Sequence, residues 1–246
     1  GGGNGNYTIA GSGTFDPATN TYPWFVNSGT LTMSVANFVT GNIIKSGTGT
    51  LVWNSPRAAA AGTANFEVSQ GVLRLGNSSA TGTAGRLNVN FSPAGSALEL
   101  TNDIAIPAGK TVWIAGRGIG EGGALRNVSG SNSISAPILI SGNSGSLMDA
   151  RINADANSRL TLTGGVVTAS KNDAVFGGAG TVVVDTTGIS GAGNLTKDGS
   201  GTLVLNAANT YTGLTTVSAG ELVWGGKSAF YGGDSAKWTP FFFATG

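Results

Sequence analysis

The chain has 246 residues, enough to bury a sizeable core, and 42 of them are glycine. Charged residues make up only 10%, and this scarcity argues against a helical or α/β domain and favours an all-β one. The net charge of +1 offers no basic surface for nucleic acid. The absence of Cys and His excludes disulfides, thiolate metal sites and catalysis by histidine.

The first predicted elements belong to an internal repeat. Residues 44–53 align with residues 195–205, and both copies contain the pattern K-x-G-x-G-T-L-V. Downstream, residues 68–76 align with residues 217–225 as a strand, a glycine turn and a second strand. The first copy is longer by three residues, which fall in the Ala-rich loop at 55–64.

Short apolar or alternating stretches, each bounded by Gly, Asn, Asp or Ser, fill the chain between the two copies. They are residues 87–91, 97–100, 111–115, 138–140, 160–163 and 181–184. Their spacing suits a sandwich, a barrel or a solenoid. Because the strands recur within a repeat, we expect a parallel β-solenoid with coils of about 20 to 25 residues. The alternative is an antiparallel β-sandwich.

The second copy of the repeat resembles a known family. Residues 191–222 read G-A-G-N-L-T-K-D-G-S-G-T-L-V-L-N-A-A-N-T-Y-T-G-L-T-T-V-S-A-G-E-L, which closely resembles the passenger-associated repeat of bacterial autotransporters and related surface proteins. The resemblance implies a right-handed parallel β-helix that is exported from the cell. The first copy departs from the pattern at residues 56–61, where P-R-A-A-A-A replaces N-T-Y-T-G. The corner geometry there is therefore open, whereas the flanking strands are still expected.

The resemblance divides the chain into three parts. Residues 42–225 form the repeat-containing solenoid, and residues 1–41 match weakly and are expected to be first coils or a cap. Residues 226–246 are expected to continue into a further coil or an assembly segment. Since no initiator Met or signal peptide precedes Gly1, the chain is expected to be a mature product or an excised piece.

Asp149, Arg151 and Asp155 form the densest charged cluster in the sequence. Related folds host polysaccharide lyases and hydrolases that work with Asp, Glu, Lys and Arg. Alternation along a strand sends Arg151 and Ile152 to opposite sides, so we interpret the cluster as solvated turn residues. No catalytic residue is assigned.

Other motifs have structural interpretations too. Lys45 and Lys197 occupy equivalent repeat positions and are expected to be exposed at the start of a strand, where Asp198 is a candidate partner for Lys197. Residues 118–123 fit G-x-G-x-x-G, but no helical pattern follows, so a solenoid corner is expected rather than a dinucleotide site. Residues 2–6 resemble a calcium-binding nonapeptide only weakly. No metal or cofactor is predicted, and no G-x-S-x-G motif of a serine hydrolase is present.

Aromatic residues concentrate towards the two ends of the sequence, where they are expected to cover the core rather than to bind sugars. They are Tyr22, Trp24, Phe25, Phe230, Tyr231, Trp238, Phe241, Phe242 and Phe243. Five Asn-x-Ser/Thr sequons are expected to remain unmodified, at Asn6, Asn77, Asn90, Asn127 and Asn194.

The sequence therefore predicts a non-enzymatic structural or adhesive module of a bacterial surface or secreted protein, with fibre formation as one expected form of assembly. The alternative is an extracellular polysaccharide-acting enzyme. The expected partners are further coils or copies of the chain, meeting end to end, and a glycan or another cell-surface ligand. No apolar run approaches the ~20 residues of a membrane span, so this segment is not expected to insert into a membrane.

Overall fold

The computed structural model describes residues 5–16, 21–38, 41–57, 65–82, 85–140, 149–169, 172–226 and 241–243. Over these residues the chain forms a β-solenoid in which the strands pair in parallel within three sheets. This confirms the predicted all-β solenoid, and the antiparallel sandwich is wrong. The two helical segments described are short 3₁₀ turns, η1 (Ser78–Thr81) and η2 (Ile119–Glu121).

Sheet A runs through the whole described chain and has eleven strands. In sheet order they are β1 (Asn6–Phe15), β3 (Thr30–Phe38), β5 (Thr50–Trp53), β7 (Gly71–Leu75), β9 (Ser96–Leu100), β12 (Leu125–Asn127), β15 (Ala150–Ala154), β18 (Ala174–Gly178), β21 (Leu195–Lys197), β23 (Thr215–Val217) and β25 (Phe241–Phe243).

Two further sheets complete the solenoid. Sheet B has eight strands: β2 (Tyr22–Phe25), β4 (Ile43–Ser46), β6 (Phe66–Val68), β8 (Gly85–Val89), β11 (Lys110–Ile114), β14 (Ile138–Ile140), β17 (Val166–Thr168) and β20 (Ile189–Gly191). Sheet C has six strands: β10 (Ala105–Ile106), β13 (Ser131–Ile134), β16 (Arg159–Leu162), β19 (Thr181–Val184), β22 (Thr202–Leu205) and β24 (Glu221–Trp224).

The core is built from rows of apolar side chains that point inward at the same level of successive coils. Sheet A contributes the row Leu51, Leu73, Leu98, Leu125, Ile152 and Phe176, all at most 1% exposed. Sheet B contributes the row Ile43, Phe66, Leu87, Val112, Ile138, Val166 and Ile189, also at most 1% exposed. Alternation along each strand leaves the residues between them on the outer surface.

The coil length varies along the solenoid. Paired residues of neighbouring strands are 19 positions apart between Thr202 and Glu221 and 28 apart between Ala105 and Ser133. The coil length expected from the sequence, 20 to 25 residues, is therefore approximately correct. The longer coils have additional residues at their corners. No helix of the described chain is long and apolar enough to cross a membrane.

The two copies of the repeat occupy different faces of the solenoid. The first copy places its strands alternately in sheets B and A, as β4, β5, β6 and β7. The second copy places the equivalent strands in sheets A and C, as β21, β22, β23 and β24. The repeat thus specifies a strand, a corner and a strand, and it does not specify which sheet receives them.

Candidate functional site

The lysine of the first repeat copy lies inside the solenoid. Lys45, in β4, is 0% exposed. Its Nζ donates to the carbonyl oxygens of Ser46 (3.0 Å), Gly47 (2.6 Å) and Gln70 (3.0 Å). The first carbonyl ends β4, the second belongs to the corner that follows it, and the third belongs to the next coil. One side chain therefore joins two successive coils.

The lysine of the second copy repeats this arrangement. Lys197, in β21, is 2% exposed. Its Nζ donates to the carbonyl oxygens of Asp198 (2.6 Å), Gly199 (2.8 Å) and Ala219 (3.1 Å). The three acceptors occupy the same positions in the repeat as those of Lys45. We call each arrangement of one lysine and three carbonyls a lysine clamp.

The lysine clamps correct the prediction that Lys45 and Lys197 are exposed. Lys197 bonds the backbone carbonyl of Asp198, whereas the Asp198 carboxylate accepts from Arg151 at 2.6 Å. A buried ammonium is costly unless its donors are satisfied, and carbonyl oxygens turned inward at the corners satisfy them here. Strand alternation outweighs the usual preference of lysine for the surface.

The lysine clamps also explain one glycine in each copy. Gly71 and Gly220 directly follow the carbonyls of Gln70 and Ala219, with φ of +74° and +72°. A β-carbon on Gly71 would lie 2.7 Å from the Lys45 Nζ, and one on Gly220 would lie 2.6 Å from the Lys197 Nζ. Glycine is required at these turns for its left-handed backbone and for the space that the ammonium occupies.

Burial changes the acidity of three lysines and one arginine. Desolvation lowers the pKa of Lys45 to about 8 and also lowers the pKa of Lys197. Lys110, 1% exposed in β11, has a pKa lowered to about 8 by burial and by the charge of Arg57. Burial lowers the pKa of Arg57 to about 10. Sequence reasoning did not single out Lys110 or Arg57.

The predicted charged cluster divides into three separate ion pairs. Asp149 pairs with Arg117 (3.1 Å), Arg151 with Asp198 (2.6 Å) and Asp155 with Arg126 (2.7 Å). Each pair links different coils, so Asp149 and Asp155 do not form a joint carboxylate site. Arg151 and the fully buried Ile152 point to opposite sides, as predicted. Arg151 lies within β15 and its side chain is 11% exposed, so the prediction of solvated turn residues is wrong for it.

One of these pairs, Arg126–Asp155, belongs to a longer charged row on the outer face of sheet A. Glu99, 3% exposed, accepts from Arg74 (2.6 Å) and lies 3.4 Å from Arg126. Arg126 in turn holds both oxygens of Asp155. Stacked strands place Arg74, Glu99 and Arg126 at one level, although neighbours in the row are 25 and 27 positions apart in the sequence. Asp155 follows the end of β15. The row stabilises coil stacking and leaves few of its charges available to a ligand.

A cleft of about 360 Å³ opens at one corner of the solenoid. It is lined by Phe91, Ser92, Pro93, Gly95, Ser96, Ala115, Gly116, Arg117, Gly118, Glu121 and Asp149. Residues 118–123 form a corner with the 3₁₀ turn η2 before β12, which confirms the predicted solenoid corner. Sequence reasoning missed the cleft because its residues come from three separate segments.

Comparisons with known proteins agree with this architecture. The family model described as "Passenger-associated-transport-repeat" matches residues 195–223, which include the second lysine clamp. Residues 195–223 are therefore similar to the repeat that this family model describes. The repeat thus coincides with the strands β21 to β24 and the corner between them.

A curated relative points the same way. Over 119 residues the chain is 34% identical to a protein named "Adhesin BmaC autotransporter" from Brucella suis biovar 1 (strain 1330). The match covers 43% of this chain and 4% of that protein, so the chain spans a small part of the relative's length. No solved structure matches the chain.

The corner of the passenger-associated repeat has different chemistry in its two copies. In the second copy, Asn209 accepts from the amide of Ile189 at 2.8 Å, and the buried Tyr211 hydroxyl lies 2.6 Å from the Thr215 hydroxyl. In the first copy, buried Arg57 packs its guanidinium 4.5 Å from the Phe66 ring. The flanking strands β5 and β6 form as predicted, and residues 58–64 lie outside the described residues.

The first coils contain a cluster of stacked rings rather than a platform on the surface. Trp24 packs with Phe15 (6.1 Å), Phe38 (6.4 Å) and Trp53 (5.8 Å), measured between ring centroids. Trp24 therefore covers the core, as predicted. Phe25 is 69% exposed, so the same prediction is wrong for Phe25. The side chains of Tyr22, Phe230, Tyr231, Trp238, Phe241, Phe242 and Phe243 lie outside the described part of the structure.

Four of the sequon asparagines take part in the fold, and one of them, Asn90, donates to the Glu67 carboxylate at 2.8 Å. Asn127 is 0% exposed, Asn77 accepts from the amide of Ser79 at 2.8 Å, and Asn194 accepts from the amide of Leu214 at 2.7 Å. Asparagine in the passenger-associated repeat region thus supplies backbone hydrogen bonds at corners. Most of the weak calcium-like motif at residues 2–6 falls outside the described residues.

Proposed function

We propose that this chain is a non-enzymatic, adhesive part of an autotransporter passenger displayed on a bacterial surface. The observation that carries the proposal is the passenger-associated repeat within a parallel solenoid, together with similarity to a protein named as an adhesin. Both matches support a secreted passenger on the cell surface. A stack of parallel coils is suited to present surface side chains at a distance from the cell.

The ionisable residues support a structural rather than a catalytic use. In the lysine clamps, Lys45 and Lys197 each bind carbonyl oxygens of two successive coils. Asp149 and Asp155 face different arginines, so they lack the joint placement that a pair of acid and base requires.

Two measurements test this proposal. Beads coated with the purified chain should adhere to cultured epithelial cells more than albumin-coated beads do. The same protein should release no reducing sugar or unsaturated product from pectin, alginate or β-glucan. Hydrolysis or elimination that disappears in Asp149→Asn would overturn the non-enzymatic proposal, and adhesion no greater than that of albumin would overturn the adhesive one.

End-to-end association is proposed from the exposed strand β1. Its inward-facing residues Tyr7 and Ile9 are 63% and 37% exposed, and β3 is its one partner among the described strands. An edge of this kind offers backbone donors and acceptors to a strand from a second copy. Sedimentation velocity should show species larger than 24.4 kDa whose proportion rises with concentration. A single 24.4 kDa species at every concentration would contradict this.

A further inference from the structure

We propose that the cleft beside Phe91 binds a neutral saccharide, and that this contact contributes to the adhesive function proposed above. The inference rests on that function for its biological role. Its physical basis is the combination of an apolar wall, a glycine floor and a set of paired charges in one cleft.

The apolar wall of the cleft is the Phe91 ring, and a second exposed apolar side chain lies in the turn beside it. Phe91 is 46% exposed and lines the cleft, and Ile119 is 41% exposed in the adjoining turn η2. Large apolar side chains that remain this exposed are few in the described chain. The exposed ring provides a flat surface for the C–H face of a sugar ring.

The floor is built from glycines that allow both apolar side chains to lie close to the backbone. Gly95 and Gly116 have φ of +81° and +83°. A β-carbon on Gly116 would lie 3.1 Å from the Phe91 ring, and one on Gly95 would lie 2.7 Å from Ile119. Because neither glycine adds a side chain, the cleft stays open next to the Phe91 ring.

The polar side of the cleft is preorganised by ion pairs. The Arg117 guanidinium donates to Glu121 (3.2 Å) and to Asp149 (3.1 Å), and these bonds help to raise its pKa. A guanidinium has five N–H donors and each carboxylate has several acceptor sites, so donors and acceptors for a ligand remain. All three side chains are partly exposed and line the cleft.

This combination selects a chemical class of ligand. The carboxylates of Glu121 and Asp149 repel an anion, and both already pair with Arg117, which reduces their attraction for a cation. A saccharide ring has an apolar face for Phe91 and hydroxyl groups that both donate to the carboxylates and accept from Arg117. A volume of about 360 Å³ lies within the range of small-molecule sites, roughly 300 to 1,000 Å³.

Calorimetric titration of the purified chain tests the proposal. The neutral probes are cellotriose, maltotriose, chitotriose and lactose, and the charged probes are trigalacturonate and trilysine. We expect at least one neutral probe to bind more tightly than either charged probe. Phe91→Ala should weaken that binding by about tenfold or more, since the ring loses its apolar contact. Glu121→Gln should weaken it by several-fold.

Phe25→Ala is the matched control, because Phe25 is an exposed phenylalanine in another part of the solenoid. It should leave the dissociation constant unchanged, and circular dichroism should show that all three variants are folded. The proposal is overturned if no neutral probe binds, if a charged probe binds most tightly, or if Phe91→Ala and Phe25→Ala behave alike.

The bead assay separates this proposal from adhesion itself. Phe91→Ala beads that adhere as well as wild type would refute the cleft as the adhesive contact and leave the adhesive function standing. Binding of a neutral saccharide that depends on Phe91, without adhesion of wild-type beads, would support the cleft and refute the adhesive function.

Discussion

Replacing Lys45 by methionine removes a lysine clamp while keeping an unbranched apolar side chain in the core. Three carbonyl oxygens then lose the ammonium donor. The Ser46 carbonyl still accepts from the amide of Val26 at 2.9 Å, so the main loss is at Gly47 and Gln70. A buried acceptor without a donor costs about 1 to 3 kcal/mol, and removing the buried charge recovers part of this. We expect a net loss of about 2 to 4 kcal/mol.

Urea denaturation followed by tryptophan fluorescence measures this loss. Arg159→Met is the matched control, since Arg159 is an exposed cation in β16, and it should change the unfolding free energy by less than about 0.5 kcal/mol. Amide exchange should quicken mainly around the corner after β4 and at Gly71, because each coil contacts only its neighbours. A Lys45→Met protein as stable as the Arg159→Met control would refute the reasoning.

Three other predictions concern the same contacts. Gly71→Ala should lower the unfolding free energy by about 2 kcal/mol or more, because the added β-carbon would lie against the Lys45 ammonium and the backbone φ is left-handed. Gly13→Ala is the control in the same denaturation assay, because the space around Gly13 is open. Gly177→Ala should destabilise by about 1 to 3 kcal/mol, since a β-carbon would collide with the Arg151–Asp198 pair, and a crystal structure retaining that pair would contradict this. Lys45 has a pKa of about 8 in the folded protein and of 10.5 in the unfolded chain. The unfolded chain therefore binds more protons between these pH values, and the unfolding free energy should rise with pH over this interval. Lys45→Met should show a smaller rise, and equal slopes in the two proteins would refute the lowered pKa of Lys45.

Much of the fold follows from the sequence, because strands and corners are local features. Alternating apolar residues and glycine-bounded stretches predict the short strands, and the repeat predicts their stacking. The second copy led directly to its four strands, β21 to β24. The repeat alone does not predict that its first copy lies in sheets B and A and its second copy in sheets A and C. The same strand, corner and strand can form at any face of the solenoid.

The predicted exposure of the two lysines is wrong, although strand alternation in the sequence indicates that they point inward. Lys45 and Lys197 each lie two positions after a core residue, Ile43 and Leu195, so alternation places them inward. The low frequency of buried lysine favoured the surface instead. What the sequence does not show is that corner carbonyls of two coils converge to accept the ammonium.

The cleft and the ion pairs depend on contacts between coils. Phe91, Arg117 and Asp149 are separated by 26 and 32 positions, and irregular coil lengths hide which residues share a level. Patterns within one strand therefore identified the core rows but not the groups that lie side by side on the surface.

A buried lysine joins consecutive coils in both copies of the repeat, and the Lys45 contacts test this most directly. Nuclear magnetic resonance detects couplings across hydrogen bonds from the Lys45 ammonium nitrogen to carbonyl carbons. We predict couplings to Gly47 and Gln70, and a Lys45 ammonium that exchanges slowly with water. A Lys45 ammonium that exchanges as fast as free lysine, with no coupling to Gln70, would contradict the central claim.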